Sequence, residues 1–181
     1  RSSVDTDTST SDTVVMLANG KAGKVDSAAF EAALTEATIY LAKEIARDGE
    51  GATKLIELSV QGAPTADAAL RIAKSIVNSP LIKTSIYGAD PNWGRFVMAV
   101  GKVFDTPIPL ESLSIHFGNG TERLAISAAN QNADLLRRIS DYLKRSEVHI
   151  AVHLGSGTHG ETVWGCDLTE GNVKENAYYT T

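Results

Sequence analysis

Three stretches of this 181-residue chain hold residues whose types and spacing suit chemistry. In Asp48-Gly49-Glu50-Gly51-Ala52-Thr53-Lys54 a carboxylate stands between two glycines. Backbone without side chains can approach a ligand closely there, and Glu50 would then hold an ammonium or move a proton. Composition alone favours a plainer reading, a helix stop followed by a solvated glutamate. Lys83-Thr84-Ser85-Ile86-Tyr87-Gly88-Ala89-Asp90-Pro91-Asn92-Trp93-Gly94-Arg95 contains a turn followed by a helix cap. Asp90 and Arg95 are spaced to pair, and the plainer reading is a rigid corner around Trp93. The end of the chain, Cys166-Asp167-Leu168-Thr169-Glu170 and then Asn176-Ala177-Tyr178-Tyr179-Thr180-Thr181, carries two tyrosines that predict a docked tail. Such a tail would carry Asn176 into a site.

Other common sites are discounted. His149 and His153 lie four apart on an alternating segment, which puts them about 13 Å apart on a strand, too far for one ion to bridge. They read as solvated polar-face residues. No phosphate-binding loop is present, and Gly155-Ser156-Gly157 lacks a dinucleotide spacing. Asp5 and Asp7 begin like a calcium loop, but no glycine or closing glutamate follows in register. Cys166 reads as a buried, inert thiol.

The elements that must position these residues follow from periodicity. Asp26 caps a helix over residues 26–48, with Phe30, Leu34, Ala37, Leu41 and Ile45 as one apolar stripe, Val25 and Phe30 as a staple and Gly49 as its stop. Lys54 to Val60 reads as a strand. Thr65 caps a second helix running to Asn78, buried through Ala69, Ala73, Ile76 and Val77, and Pro80 ends it. Leu81 to Tyr87 reads as a strand and residues 92–103 as a helix. Alternation over 112–117, the turn Gly118-Asn119-Gly120 and a return over 123–127 predict a hairpin. A helix over 130–145 precedes a strand with Val148, Ile150, Val152 and Leu154 on one side, and a last strand runs to Leu168. Before all of these, Ser, Thr and Asp dominate residues 1–13, and Val14 to Ala18 reads as a short buried segment. Helices and strands mix throughout, so the fold class is α/β, or α+β, with helices packed on mixed sheets.

Bulk properties bound the partners. The apolar share is 43% and the charged share 22%, ordinary for a folded domain. A net charge of −5 gives no broad attraction for nucleic acid or an anionic membrane. No apolar run reaches the roughly 18–20 residues of a membrane span, and no signal peptide opens the chain. One cysteine cannot form an internal disulfide, which suits a reducing compartment such as the cytoplasm.

Taken together, Asp7-Thr8-Ser9-Thr10-Ser11-Asp12-Thr13, the Asp48–Lys54 stretch, Gly88 to Arg95, Cys166-Asp167-Leu168-Thr169 and Asn176-Ala177 resemble the ornithine acetyltransferase (glutamate N-acetyltransferase) family of arginine biosynthesis, in order and spacing from end to end. The resemblance implies a self-cleaving enzyme of N-terminal-nucleophile type. Its new terminal threonine takes the acetyl group from N-acetylornithine and passes it to glutamate without a cofactor. It implies that residues 1–181 are the C-terminal part of a beta chain, with a smaller sub-lobe around 65–160. No catalytic nucleophile is then expected in this chain, since the threonine would lie upstream of Arg1. The same resemblance implies Glu50, Asn176 and Thr181 as substrate-binding residues, and a structural role for Asp90 to Arg95. The implied partners are an alpha chain and the N-terminal part of the beta chain, in a two-fold dimer of heterodimers. Three positions depart from the family pattern: Thr6 for a common glycine, Glu175 for an apolar residue and Tyr178 for an acidic one. Use of acetyl-CoA as a further donor, an amide hydrolase of the same nucleophile type and a non-catalytic assembly subunit are the alternatives.

Overall fold

A computed structural model describes residues 1–8, 10–120 and 123–178. Its centre is a six-stranded mixed sheet in the order β1-β6-β2-β5-β3-β4. The strands are β1 (Ser2–Ser3), β2 (Leu55–Ala63), β3 (Ser114–Phe117), β4 (Leu124–Ser127), β5 (Glu147–His153) and β6 (His159–Cys166). β2 runs parallel to β5 and antiparallel to β6, β1 runs parallel to β6, and β3 pairs antiparallel with both β4 and β5. The mixed α/β expectation and the hairpin at 114–127 are therefore found, with Ile115 opposite Ile126.

Alternation decides the two faces of the sheet. Ile56, Leu58, Val60, Ile115, Phe117, Val148, Ile150, Val152 and Val163 point to one side and form a single core with the helices above them. α2 (Ala66–Val77) lies across β2 and β6 on that side. Thr65 accepts a hydrogen bond from the Ala68 amide at its start, as its spacing predicts. α2 buries Ala68, Ala69, Ile72, Ala73, Ile76 and Val77, and each large aliphatic among them stabilises the fold by about 1.5–3 kcal/mol. α4 (Trp93–Gly101) and α5 (Ala133–Leu143) join the same core, capped by Asn92 and Asn132. Phe96 of α4 meets Phe117 edge to face at 5.9 Å.

Several expectations need correction. Residues 81–87 are helical, not a strand: α3 spans Pro80–Tyr87 and buries Ile82, Lys83, Ser85 and Ile86. Pro80 does end α2, but it also stands in the first turn of α3, where its missing N–H costs nothing. Val14 to Leu17 is exposed, with Val14 at 93% and Leu17 at 91%, and forms no strand or helix. α1 (Ser27–Arg47) is a helix with the expected Asp26 cap, yet it meets the sheet through Ala42 and Ala46, packed on Leu55 and Trp164. Its apolar stripe faces away: Phe30 is 47% exposed, Leu41 56% and Ile45 57%. This 21-residue helix therefore buries little apolar area against the sheet. Tyr178 does not dock the tail. Residues 170–178 form α6 (Glu170–Tyr178), and Tyr178 is 81% exposed; Tyr179 lies outside the described residues.

The second face of the sheet carries a polar network where solvated histidines were expected. Glu57 accepts from Lys43 Nζ at 2.6 Å and Trp164 Nε1 at 3.0 Å, and His149 Nδ1 lies 3.3 Å from its other oxygen. His149 Nε2 lies 3.4 Å from Glu147. The His116 and His153 rings meet edge to face at 4.5 Å. All three histidines are half-buried. Burial works against the Glu57 carboxylate, but the hydrogen bonds from Lys43 and Trp164 outweigh it and hold the group below its ordinary value.

Two measurements check this packing. Glu57, depressed in the folded state, contributes stability above its ordinary value of about 4.3, and that contribution is lost as pH falls through the lower folded value. Thermal melts should therefore put Glu57→Gln below wild type at pH 7, with the gap closing towards pH 3. Gly165 leaves no room for a side chain, because a Cβ would sit 2.4 Å from Val77 Cγ2 and 2.9 Å from the Ser3 carbonyl. Gly165→Ala should cost about 1–3 kcal/mol, read as a lower melting temperature.

Candidate functional site

The candidate site is assembled where β2 begins and β6 ends. α1 closes with Asp48 at its C-cap. The chain then turns through Gly49, Glu50 and Gly51, with the Ala52 amide bonded to the Gly49 carbonyl at 2.8 Å. Gly51 adopts φ +62°, and a Cβ there would fall 2.3 Å from the Asn172 nitrogen. Glycine is required at this position for both reasons. Its neighbour Glu50 is thereby held out on an exposed turn.

From the other direction, β6 delivers Asp167, which is 2% exposed. Its carboxylate accepts from the Thr53 amide at 2.8 Å, the Thr53 hydroxyl at 2.5 Å and the Lys54 amide at 3.0 Å. Two residues later the Thr169 hydroxyl donates to the Gly51 carbonyl at 2.6 Å and accepts from the Asn172 amide at 3.1 Å. That second bond caps the start of α6. Asn172 Nδ2 then donates to the Glu50 carbonyl at 3.1 Å. One helical turn further, Asn176 Nδ2 donates to Glu50 Oε2 at 2.7 Å and to the Asn172 carbonyl at 3.0 Å.

The structure thus brings together Glu50 and Asn176, two of the three residues singled out as substrate-binding; Thr181 lies outside the described residues, as does Ser9 of the first motif. Asp167, Thr169 and Asn172 were not singled out as site residues. The first two lie within the Cys-Asp-Leu-Thr motif, but their partners stand more than a hundred positions earlier.

Beside Glu50 opens a cleft of about 780 Å³ between the first residues of the chain, the end of α1 and the end of α2. Asp5, Asp7, Asp12, Asp48 and Glu50 line it, with Lys74 as the cation among its lining residues. The cleft floor is tied down by Lys83, a residue only 5% exposed, whose ammonium donates to the Val4 carbonyl and reaches Cys166 Sγ at 3.6 Å. Burial raises the Cys166 thiol, and the Lys83 charge only partly offsets this, so the sulfur stays protonated at neutral pH. Lys54 donates to the Ile86 and Tyr87 carbonyls at 2.6 and 3.0 Å and so caps the end of α3. Burial lowers its ammonium, with Asp167 opposing. The expected Asp90–Arg95 pair does not form. Arg95 donates instead to the Leu81 carbonyl at 2.6 Å, and Asp90 accepts from Asn92. Among the described residues no three metal-ligating side chains converge, and no helix is long and apolar enough to cross a membrane.

Proteins similar to this chain place it among known families. The ArgJ family model matches residues 1–181. The glutamate N-acetyltransferase Oat2 of Streptomyces clavuligerus is 50% identical over 181 residues, covering 99% of this chain and 46% of that protein. The arginine biosynthesis bifunctional protein ArgJ 2 of a Nostoc strain is 49% identical over 180 residues, with the same coverage. The crystal structure of the arginine biosynthesis bifunctional protein ArgJ from Bacillus halodurans superposes with a TM-score of 0.88 at 42% identity, covering 99% of this chain and 86% of that one. The chain spans about half the length of the curated relatives it matches. By motif, sequence and fold, this chain belongs to the ArgJ family.

Proposed function

We propose that the enzyme to which this chain belongs moves an acetyl group from N2-acetylornithine to glutamate, and that this chain supplies the substrate-binding wall of the pocket. The observation that carries the proposal is the 2.7 Å bond from Asn176 to Glu50 at the rim of the carboxylate-lined cleft. It is found in a chain half-identical to a protein named glutamate N-acetyltransferase. In this reading a threonine hydroxyl outside the chain attacks the acetyl carbonyl, and the α-amine of ornithine leaves with a proton. The α-amine of glutamate then attacks the acyl-threonine and regenerates the hydroxyl. Two easier steps replace one difficult transfer.

Charge decides which half of each substrate this wall suits. Acetylornithine keeps a free side-chain ammonium, and Glu50, with one oxygen held by Asn176, offers it a charge-assisted partner. The surrounding aspartates add to the attraction. Glutamate carries two carboxylates, which this lining repels. Its recognition therefore falls to Lys74 and to cations of another polypeptide, with Thr181 at the amino-acid end of the substrate.

That other polypeptide has a place to sit. The exposed stripe of Phe30, Leu34, Leu41 and Ile45 runs along α1 to Asp48, and Ile45 itself lines the cleft. Whatever covers the stripe lies against the site. An alpha chain and the preceding part of a beta chain, paired again by two-fold symmetry, fill that role in this reading.

Steady-state kinetics of the complete enzyme test the proposal. Glu50→Gln should raise KM for N-acetylornithine about tenfold or more, the worth of a hydrogen bond to a charged group. Unchanged kinetics for both substrates would overturn the role of Glu50. Rapid turnover of N-acetylornithine without glutamate would point to a hydrolase instead, and no turnover under either condition to an assembly subunit.

A further inference from the structure

Glu50 and Asn176 are held in register across two elements distant in sequence. Glu50 sits on an exposed turn and Asn176 on a short helix near the end of the described chain. α6 buries no side chain of its own, so apolar packing does not fix it. The most buried connection between the two elements is one hydroxyl. Thr169 is 4% exposed; it donates to Gly51 beside Glu50 and accepts from Asn172 one turn before Asn176. The same oxygen therefore caps the helix that carries the amide and anchors the turn that carries the carboxylate. Asn172 adds a second tie, through its side chain to the Glu50 carbonyl and its own carbonyl to the Asn176 amide.

We infer that Thr169, assisted by Asn172, is a positioning residue for the substrate-binding pair, setting the distance between Glu50 and Asn176 without touching substrate. This rests on the reading of Glu50 as the group that binds the substrate ammonium. A methyl in place of the hydroxyl leaves the Gly51 carbonyl and the Asn172 amide without their partner and frees α6 to shift. A displacement below 1 Å is enough to loosen a bond of 2.7 Å.

The test is a coupling measurement on the complete enzyme. Thr169→Val should raise KM for N-acetylornithine about threefold to tenfold with little change in kcat, and Thr169→Ser should restore it. In a Glu50→Gln background Thr169→Val should add less to KM than it does alone, because the charge that Thr169 positions is already gone. Asn172→Ala, which removes only the side-chain bond to the Glu50 carbonyl, gives a smaller effect of the same kind and serves if the valine variant does not fold. If Glu50→Gln raises KM while Thr169→Val or Asn172→Ala leaves it at the wild-type value, or adds to it in full, the positioning role is overturned and the reading of Glu50 survives. If Glu50→Gln itself leaves KM unchanged, both fall.

Discussion

The buried carboxylate of Asp167 is the constraint on which the site depends. It joins segments 114 positions apart, fastening the residues just before β2 to the residue just after β6. A carboxylate removed from water is costly unless its lone pairs are filled. Here Thr53 and Lys54 donate three hydrogens, and the Lys54 ammonium stands near enough to oppose its charge. The Glu50 turn precedes this junction and α6 follows it. Both ends of the site therefore hang from one anchored point, and their relative position is set by short hydrogen bonds rather than by apolar packing.

The division of the sheet explains why the site is an edge feature. One face is sealed by α2, α4 and α5 over a continuous aliphatic core. On the other, α1 lies mainly over β1, β6 and β2, where Ala42 and Ala46 make its apolar contacts, and Arg47 reaches Glu147 of β5. Alanines let a helix approach closely but bury little area. Most of the apolar area of α1 is turned away from the sheet, so the helix works as a bridge with one side committed inward and one offered outward. Its C-terminus ends at the Glu50 turn. The outward-facing side and the cleft are consequently neighbours by construction.

Charge placement follows the same division. The Lys43–Glu57–His149–Glu147 network occupies the polar face and meets its own requirements internally. The cleft is less balanced: among its lining residues five carboxylates stand with one lysine. Such a concentration is unfavourable in isolation and favourable when a cation enters, which is the electrostatic signature of a pocket rather than of a scaffold.

Local periodicity was enough for α1, β2, α2, the β3–β4 hairpin, α5 and β5, because each alternates or repeats within its own length. It failed where two conformations share one pattern. Pro80 to Tyr87 is a short apolar run that suits a strand or a helix equally, and the burial of Ile82 and Ile86 against α2 and α4 decided it. The Asp26 and Thr65 caps were legible, since a cap is a contact between near neighbours. Which side of α1 meets the sheet was not, since a stripe marks an apolar surface without naming what covers it. Glu50 between its glycines and Asn176 in the tail were legible as candidates, and the family resemblance alone favoured them over the plainer readings of a solvated glutamate and simple packing. That they touch is a matter of tertiary structure alone: 126 positions separate them, and only the pairing of β2 with β6, closed by Asp167 and Thr169, brings carboxylate and amide within one hydrogen bond.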